Sequence, residues 1–176
     1  MKQLLSEQQV RAGVERMARD ITARYGDRPL TIVAVMTGSV VLLADLIRLL
    51  DMPLRVGVVQ ASSYRAGTKR ERLSINAEMM PDISGRDVLL VDDIFDTGHT
   101  LVEVIALMRE LGPTSIRTGV LLCKVGRQQV EYRPDFVAFE IPDEFVVGYG
   151  LDYRDAYRNL PFVAALEPAD LEVPHA

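Results

Sequence analysis

The sequence predicts an α/β fold in which a parallel sheet is covered by helices, and three observations carry that prediction. Runs of strand length alternate with segments of helical period, the pattern of βαβ units. The runs Thr31-Ile32-Val33-Ala34-Val35-Met36 and Val88-Leu89-Leu90-Val91 are almost continuously apolar, as strands buried on both faces must be. Leu101, Val104, Ile105, Met108 and Leu111 fall at i, i+3, i+4, i+7 and i+10, which is one helix face.

Composition bounds the class. A chain of 176 residues with 48% hydrophobic content is sufficient for one sizeable core and speaks against disorder. The net charge of −5 gives no sign of a nucleic-acid or anionic-membrane surface. The single cysteine, Cys123, excludes an internal disulfide and fits a reducing compartment. The first residues lack the apolar core of a signal peptide, and the run Val40 to Ile47 is broken by Asp45 and too short to span a bilayer. The expectation is a soluble, cytoplasmic protein: one domain over residues 1–166, with a loose tail over 167–176.

Ser6 followed three residues later by Gln9 has capping-box spacing, and Val10, Val14, Met17, Ala18 and Ile21 then keep helical period as far as Gly26. Thr31 to Met36 is a buried strand. Val41 to Leu50 reads as a helix ending before Pro53, and Leu54 to Gln60 as a second strand. Residues 61–72 are polar, basic and without period. Loops this long are either solvated hairpins or lids. Leu73 to Met79 alternates like an antiparallel strand. Val88 opens the central strand, and Gly112-Pro113 stops the helix that follows it. Ser115 to Cys123 is a further strand, with Lys124 at its end. Phe136 to Glu140, Phe145 to Gly148 and Phe162 to Leu166 are short strands, and Leu151 to Asn159 reads as a helical turn.

The chemistry is concentrated between the central strand and its helix, in Asp92-Asp93-Ile94-Phe95-Asp96-Thr97-Gly98-His99-Thr100. In open parallel sheets, ligands sit beyond the carboxyl ends of the strands. Hydroxyls and free N–H groups at a helix start suit a phosphate. Carboxylates suit sugar hydroxyls, a metal ion or proton transfer. Less specific readings exist for each part. A bare Asp-Asp pair is a solvated strand end, and Thr97 or Thr100 is an ordinary helix cap.

Two acidic residues followed by a Thr-Gly loop resemble the signature of the type I phosphoribosyltransferases, which bind 5-phosphoribosyl 1-diphosphate (PRPP). Asp96, just before Thr97-Gly98, is typical of the purine enzymes. The segments Arg133-Pro134-Asp135-Phe136, Phe145 to Tyr153 and Tyr157-Arg158-Asn159-Leu160-Pro161 resemble the hypoxanthine(-guanine) phosphoribosyltransferases. The likeness runs from about Thr31 to Leu166. It implies a Rossmann-like parallel sheet with a small hood built from the termini and the late strands. It also implies transfer of phosphoribose from PRPP to N9 of a 6-oxopurine, giving IMP or GMP and pyrophosphate with Mg²⁺, in a homodimer or homotetramer.

The resemblance assigns roles residue by residue. Asp92 and Asp93 hold the ribose hydroxyls, partly through a bound metal. Thr97, Gly98, His99 and Thr100 cup the 5-phosphate, with His99 contributing its backbone N–H. Asp96 is the general base toward the purine N7. Lys124 donates to the purine O6, which favours hypoxanthine or guanine over adenine. Phe145 and Val146 form the base site, and Asp152 lies near position 2 of the purine. Asp152 is also the direct Mg²⁺ ligand, with Asp92 and Asp93 acting through water. Arg158 holds pyrophosphate. Thr37-Gly38 matches the pyrophosphate turn, where a cis peptide is known; many relatives have lysine-glycine there, so this chain has one cation fewer. Ser63-Tyr64 matches a mobile loop that closes over the reaction. Two other readings are weighed. A nucleotide-sensing RNA-binding regulator on the same fold is disfavoured by the negative charge and by Asp96. An aspartyl-nucleophile phosphatase needs a carboxylate spacing one residue shorter than Asp93 to Asp96.

Overall fold

A computed structural model of the chain describes residues 1–64 and 72–171. Two sheets are present. The larger has six strands: β2 (Leu30–Met36), β3 (Leu54–Tyr64), β4 (Arg72–Asn76), β5 (Asp87–Phe95), β6 (Ser115–Lys124) and β7 (Phe136–Ile141), in the order β4-β3-β2-β5-β6-β7. All neighbours run parallel except β4, which pairs antiparallel with β3. The smaller sheet joins β1 (Lys2–Leu5), β9 (Val163–Ala165) and β8 (Val146–Val147) in antiparallel pairs. This is the expected hood.

The buried strands alternate between two cores, as the period-2 geometry of a strand requires. Ile32, Ala34, Leu89 and Val91 pack with α1 (Glu7–Tyr25) and α2 (Val40–Ile47). Val33, Val35, Val88 and Leu90 pack with α3 (His99–Glu110) on the other face. The capping box at Ser6 is formed, with Gln9 N–H donating to Ser6 Oγ at 3.2 Å and Ser6 N–H to Gln9 Oε1 at 2.8 Å. A cap of this kind stabilises by about 1 kcal/mol. Gly13 lets α1 lie close on β7, because a Cβ there would overlap the Phe139 ring.

The structure departs from the sequence reading at six places. Lys2–Leu5 is a strand, a state visible only once β9 lies beside it. The second helix stops at Ile47, with Arg48 as its cap. β3 continues through Ser63 and Tyr64, which pair with Leu73 and Arg72. The mobile-loop expectation for these two therefore meets a paired strand end, and its middle, 65–71, lies outside the described residues. Leu111 caps α3 and is 46% exposed, so it is not on the buried face. Leu151 to Asn159 is no helical turn; it is a chain of tight turns with two isolated bridges and positive φ at Arg154, Asp155 and Tyr157. Residues 168–171 form a helical turn, α4, preceded by Glu167. The Met1 ammonium pairs with Glu167 and Asp170, each at 2.7 Å.

β2 hands the chain to β3 on one side, and β5 hands it to β6 on the other. The carboxyl ends of β2 and β5 therefore flank the point where strand order reverses, the place where α/β sheets bind ligands.

Candidate active site

A cavity of about 330 Å³ opens at that point. The turn after β2 contributes Thr37 and Gly38. The end of β5 and the loop into α3 contribute Asp92, Asp93, Asp96, Thr97, Gly98 and Thr100. The segment before β9 contributes Asp152 and Arg158. Ten of the sequence-selected residues thus converge from three distant stretches of chain.

The local backbone explains the convergence. The Met36–Thr37 peptide is cis. Gly38 is fixed by crowding, since a Cβ on it would overlap the Asp93 carboxylate. A Cβ on Gly150, whose φ is +101°, would overlap the Gly38 carbonyl. Gly150 N–H donates to Arg158 O at 3.0 Å and Arg158 Nη1 donates to Gly150 O at 2.8 Å. The 148–158 segment is therefore closed on itself and lies against the 37–38 turn at Gly150, and the buried Tyr149 hydroxyl ties it to Asp45 of α2 at 2.6 Å.

The strand end is longer than the sequence suggested. Asp92 and Asp93 belong to β5, which continues to Phe95. Both still line one cavity, because Asp93 lies against Gly38 where the sheet opens. Asp92 is only 7% exposed. Burial, then the charge of Asp93, holds its carboxyl well above the usual carboxylate range. Burial raises Asp93 as well, against the bonds it receives. An acid whose native pKa lies above its unfolded value of about 3.9 binds its proton more tightly when folded. Its stabilising contribution is complete below the unfolded value and is lost as pH rises through the native one. Asp92→Asn is accordingly expected to raise the Tm of the ligand-free protein at pH above the usual carboxylate range, at roughly 2–4 °C per kcal/mol. It should also flatten the decline of Tm with pH. Melting curves from acid to mildly alkaline pH with an unchanged slope would remove Asp92 as the source.

The start of α3 is open. Its N-cap is Gly98, with φ +90°, and no side chain caps the helix. The capping role considered for Thr97 and Thr100 is thus absent, and the start of the helix, at Gly98, Thr100 and Leu101, borders the cavity that both threonines line. The loop is braced from behind. Gln129 N–H donates to Thr97 O at 2.9 Å, and Gln129 Oε1 lies 3.1 Å from His99 Nε2. The imidazole is thus engaged away from the cavity, in line with a backbone role for His99. A Cβ on Gly98 would run into Val130 and Phe95.

Lys124 and Asp96 meet outside the strand ends. Lys124 is 8% exposed and its Nζ lies 3.3 Å from Asp96 Oδ2 and 3.3 Å from Asp143 Oδ1. Arg127 Nε lies 3.0 Å from Asp96 Oδ1 and 3.4 Å from Asp143 Oδ1. The hydrogen bond to Asp96, then the charges of Asp96 and Asp143, push the Arg127 guanidinium up. Arg127 and Asp143 carried no period or motif in the sequence, so nothing there marked them. Phe145 is 51% exposed and meets Tyr153 edge to face at 5.5 Å. Val146 is buried in the hood, where it pairs with Ala165.

Asp152 Oδ1 pairs with Arg158 Nη2 at 2.7 Å, and its Oδ2 accepts from Asp155 N–H at 2.9 Å. Among the described residues no group of three or more His, Cys, Asp or Glu side chains is arranged to hold a metal by protein alone. Mg²⁺ does not ask for one: it commonly takes one or two carboxylates, with substrate phosphates and waters completing the shell. Asp152, which lines the cavity, fits that mode.

Comparison with known proteins places the chain in one group. The family model for the phosphoribosyl transferase domain matches residues 1–154. A hypoxanthine-guanine phosphoribosyltransferase of Staphylococcus epidermidis is 39% identical over 165 residues, covering 93% of this chain and 92% of its own. That of Aquifex aeolicus is 40% identical over 169 residues, covering 95% of each. A crystal structure of a hypoxanthine phosphoribosyltransferase from Staphylococcus aureus superposes with a TM-score of 0.90 at 35% identity, covering 96% of this chain and 92% of that one. No helix among the described residues is long and apolar enough to cross a membrane.

Proposed function

The chain belongs to the phosphoribosyl transferase domain family, and on that premise we propose how its residues transfer phosphoribose from PRPP to N9 of a 6-oxopurine. The activity is that of a hypoxanthine(-guanine) phosphoribosyltransferase, a pentosyltransferase of purine salvage. The observation that carries the assignment of parts is the meeting of Asp96 with Lys124, an acceptor and a donor 3.3 Å apart, with Asp96 also lining the cavity at the end of β5.

On a 6-oxopurine, O6 and N7 share one edge of the bicycle. Lys124 donates to O6 while Asp96 accepts the N7 proton, and negative charge builds toward N9. The purine lies on the Phe145 ring, with its far edge toward the backbone of Val146 and Asp152. The 5-phosphate sits on the open N-terminus of α3, between Thr97 and Thr100. Asp92 and Asp93 accept from the ribose hydroxyls. Arg158 and the 37–38 turn hold pyrophosphate, with Thr37 supplying backbone where many relatives have a lysine. Mg²⁺ would be held by Asp152, with Asp92 and Asp93 through water, and would neutralise charge on the leaving pyrophosphate. The cationic sugar then develops between an anionic base and a fixed leaving group, so preorganisation and orientation dominate. A homodimer or homotetramer, a cytoplasmic setting and closure of a lid around Ser63 and Tyr64 complete the reading. The RNA-binding alternative gains nothing from relatives that are named as enzymes.

Initial rates with PRPP and each of hypoxanthine, guanine, xanthine and adenine test this. Turnover is expected with 6-oxopurines, absent with adenine, and lost when Mg²⁺ is withheld. Adenine carries a 6-amino donor that would face the Lys124 donor. Turnover of adenine comparable to hypoxanthine would overturn the Lys124 role.

A further inference from the structure

Four charged groups at the base side of the site form a closed ring of alternating sign. Asp96 meets Lys124 at 3.3 Å, Lys124 meets Asp143 at 3.3 Å, Asp143 meets Arg127 at 3.4 Å, and Arg127 meets Asp96 at 3.0 Å. The proposed chemistry uses only Asp96 and Lys124. Arg127 has a side chain 43% exposed and does not line the cavity assigned to the phosphates. An exposed ion pair adds about 0–1 kcal/mol to stability, so stability alone is a weak reason for this geometry.

We infer that Arg127 is a positioning residue for the transfer: by donating to Asp96 Oδ1 it fixes the carboxylate so that Oδ2 is the oxygen presented to the purine N7. This rests on the reading of Asp96 given above. The terminal torsion of an aspartate is broad and two-fold, so an unheld carboxylate exchanges its oxygens. Here the two oxygens have different partners, Arg127 on Oδ1 and Lys124 on Oδ2. When a purine arrives, its O6 competes for Lys124. Asp143 remains as the counter-charge of the lysine, so Lys124 can turn from Oδ2 without being left unpaired. Oδ2 then loses a donor beside the position where N7–H arrives, while Arg127 keeps Oδ1 in place. The donor and acceptor that touch here are thereby spaced for the O6/N7 edge.

The test is steady-state kinetics on Arg127→Ala and Arg127→Lys, each alone and combined with Asp96→Asn. Misplacement of a reacting group by about 1 Å costs up to roughly 10²-fold. Arg127→Ala is expected to lower kcat about tenfold, within that scale, and to leave the PRPP KM within about twofold. Arg127→Lys should recover part of the loss, as a cation without the planar donor fork. In the Asp96→Asn background the same Arg127→Ala change should have no further effect on kcat, because the charged oxygen that Arg127 presents to N7 is gone. Undiminished kcat in Arg127→Ala, or an equal tenfold loss in both backgrounds, overturns the inference while leaving the Asp96 role standing. Wild-type turnover by Asp96→Asn alone would instead remove the Asp96 role, and this inference with it.

Discussion

Asp96→Asn is expected to lower kcat by about 10²–10⁴-fold, the range that a positioned general base contributes, with the PRPP KM largely kept. The amide preserves the shape of the side chain and can still accept a hydrogen bond. What it lacks is the charge that favours removal of the N7 proton as N9 attacks the sugar. The groups assigned to PRPP are other residues: the open start of α3, the β5 end and Arg158. The loss should therefore fall on kcat. The change also leaves Lys124 and Arg127 with Asp143 as their one partner in the ring, so some weakening of purine binding should accompany it. Turnover within about twofold of wild type would show that Asp96 is no base.

Gly38→Ala is expected to reduce kcat/KM for PRPP by roughly 10²-fold, the cost of a reacting group displaced by about 1 Å. The reason is steric and local. An added Cβ overlaps Asp93 Oδ2, and the Gly38 carbonyl already lies against Gly150. The turn cannot retreat from Asp93 without pushing on the 148–158 segment, which carries Asp152 and Arg158. One methyl group thus disturbs together the residues proposed to hold the sugar, the pyrophosphate and the metal. Gly150→Ala should act alike, with added backbone strain from φ +101°. A folded Gly38→Ala protein with the wild-type PRPP KM would show that this turn does not touch pyrophosphate.

Much of the site was legible because its parts are contiguous. Asp92 to Thr100 is a single run, and its strand-loop-helix context follows from the apolar period on either side. The helix-face pattern placed Leu101, Val104, Ile105 and Met108 correctly in a core. It failed at Leu111, because a helix cap is set by the turn at Gly112 and not by periodicity. The turns over 151–159 misled for a related reason. Their backbone is set by bridges and by contacts with the 37–38 turn, and positive φ at Arg154, Asp155 and Tyr157 is foreign to a helix.

The sequence by itself determined the α/β class, the strand-loop-helix unit and the contiguous run from Asp92 to Thr100 that lines the cavity, since those follow from local period and from a contiguous motif. Tertiary structure alone decided that Lys2–Leu5 is a strand, that Gly98 rather than a threonine caps α3, and that Arg127 and Asp143 join Asp96 and Lys124. A short edge strand exists only when a partner supplies its hydrogen bonds. A ring of charges closes only when the loop after β6 folds back beside the end of β5, and no spacing within either stretch encodes that distance.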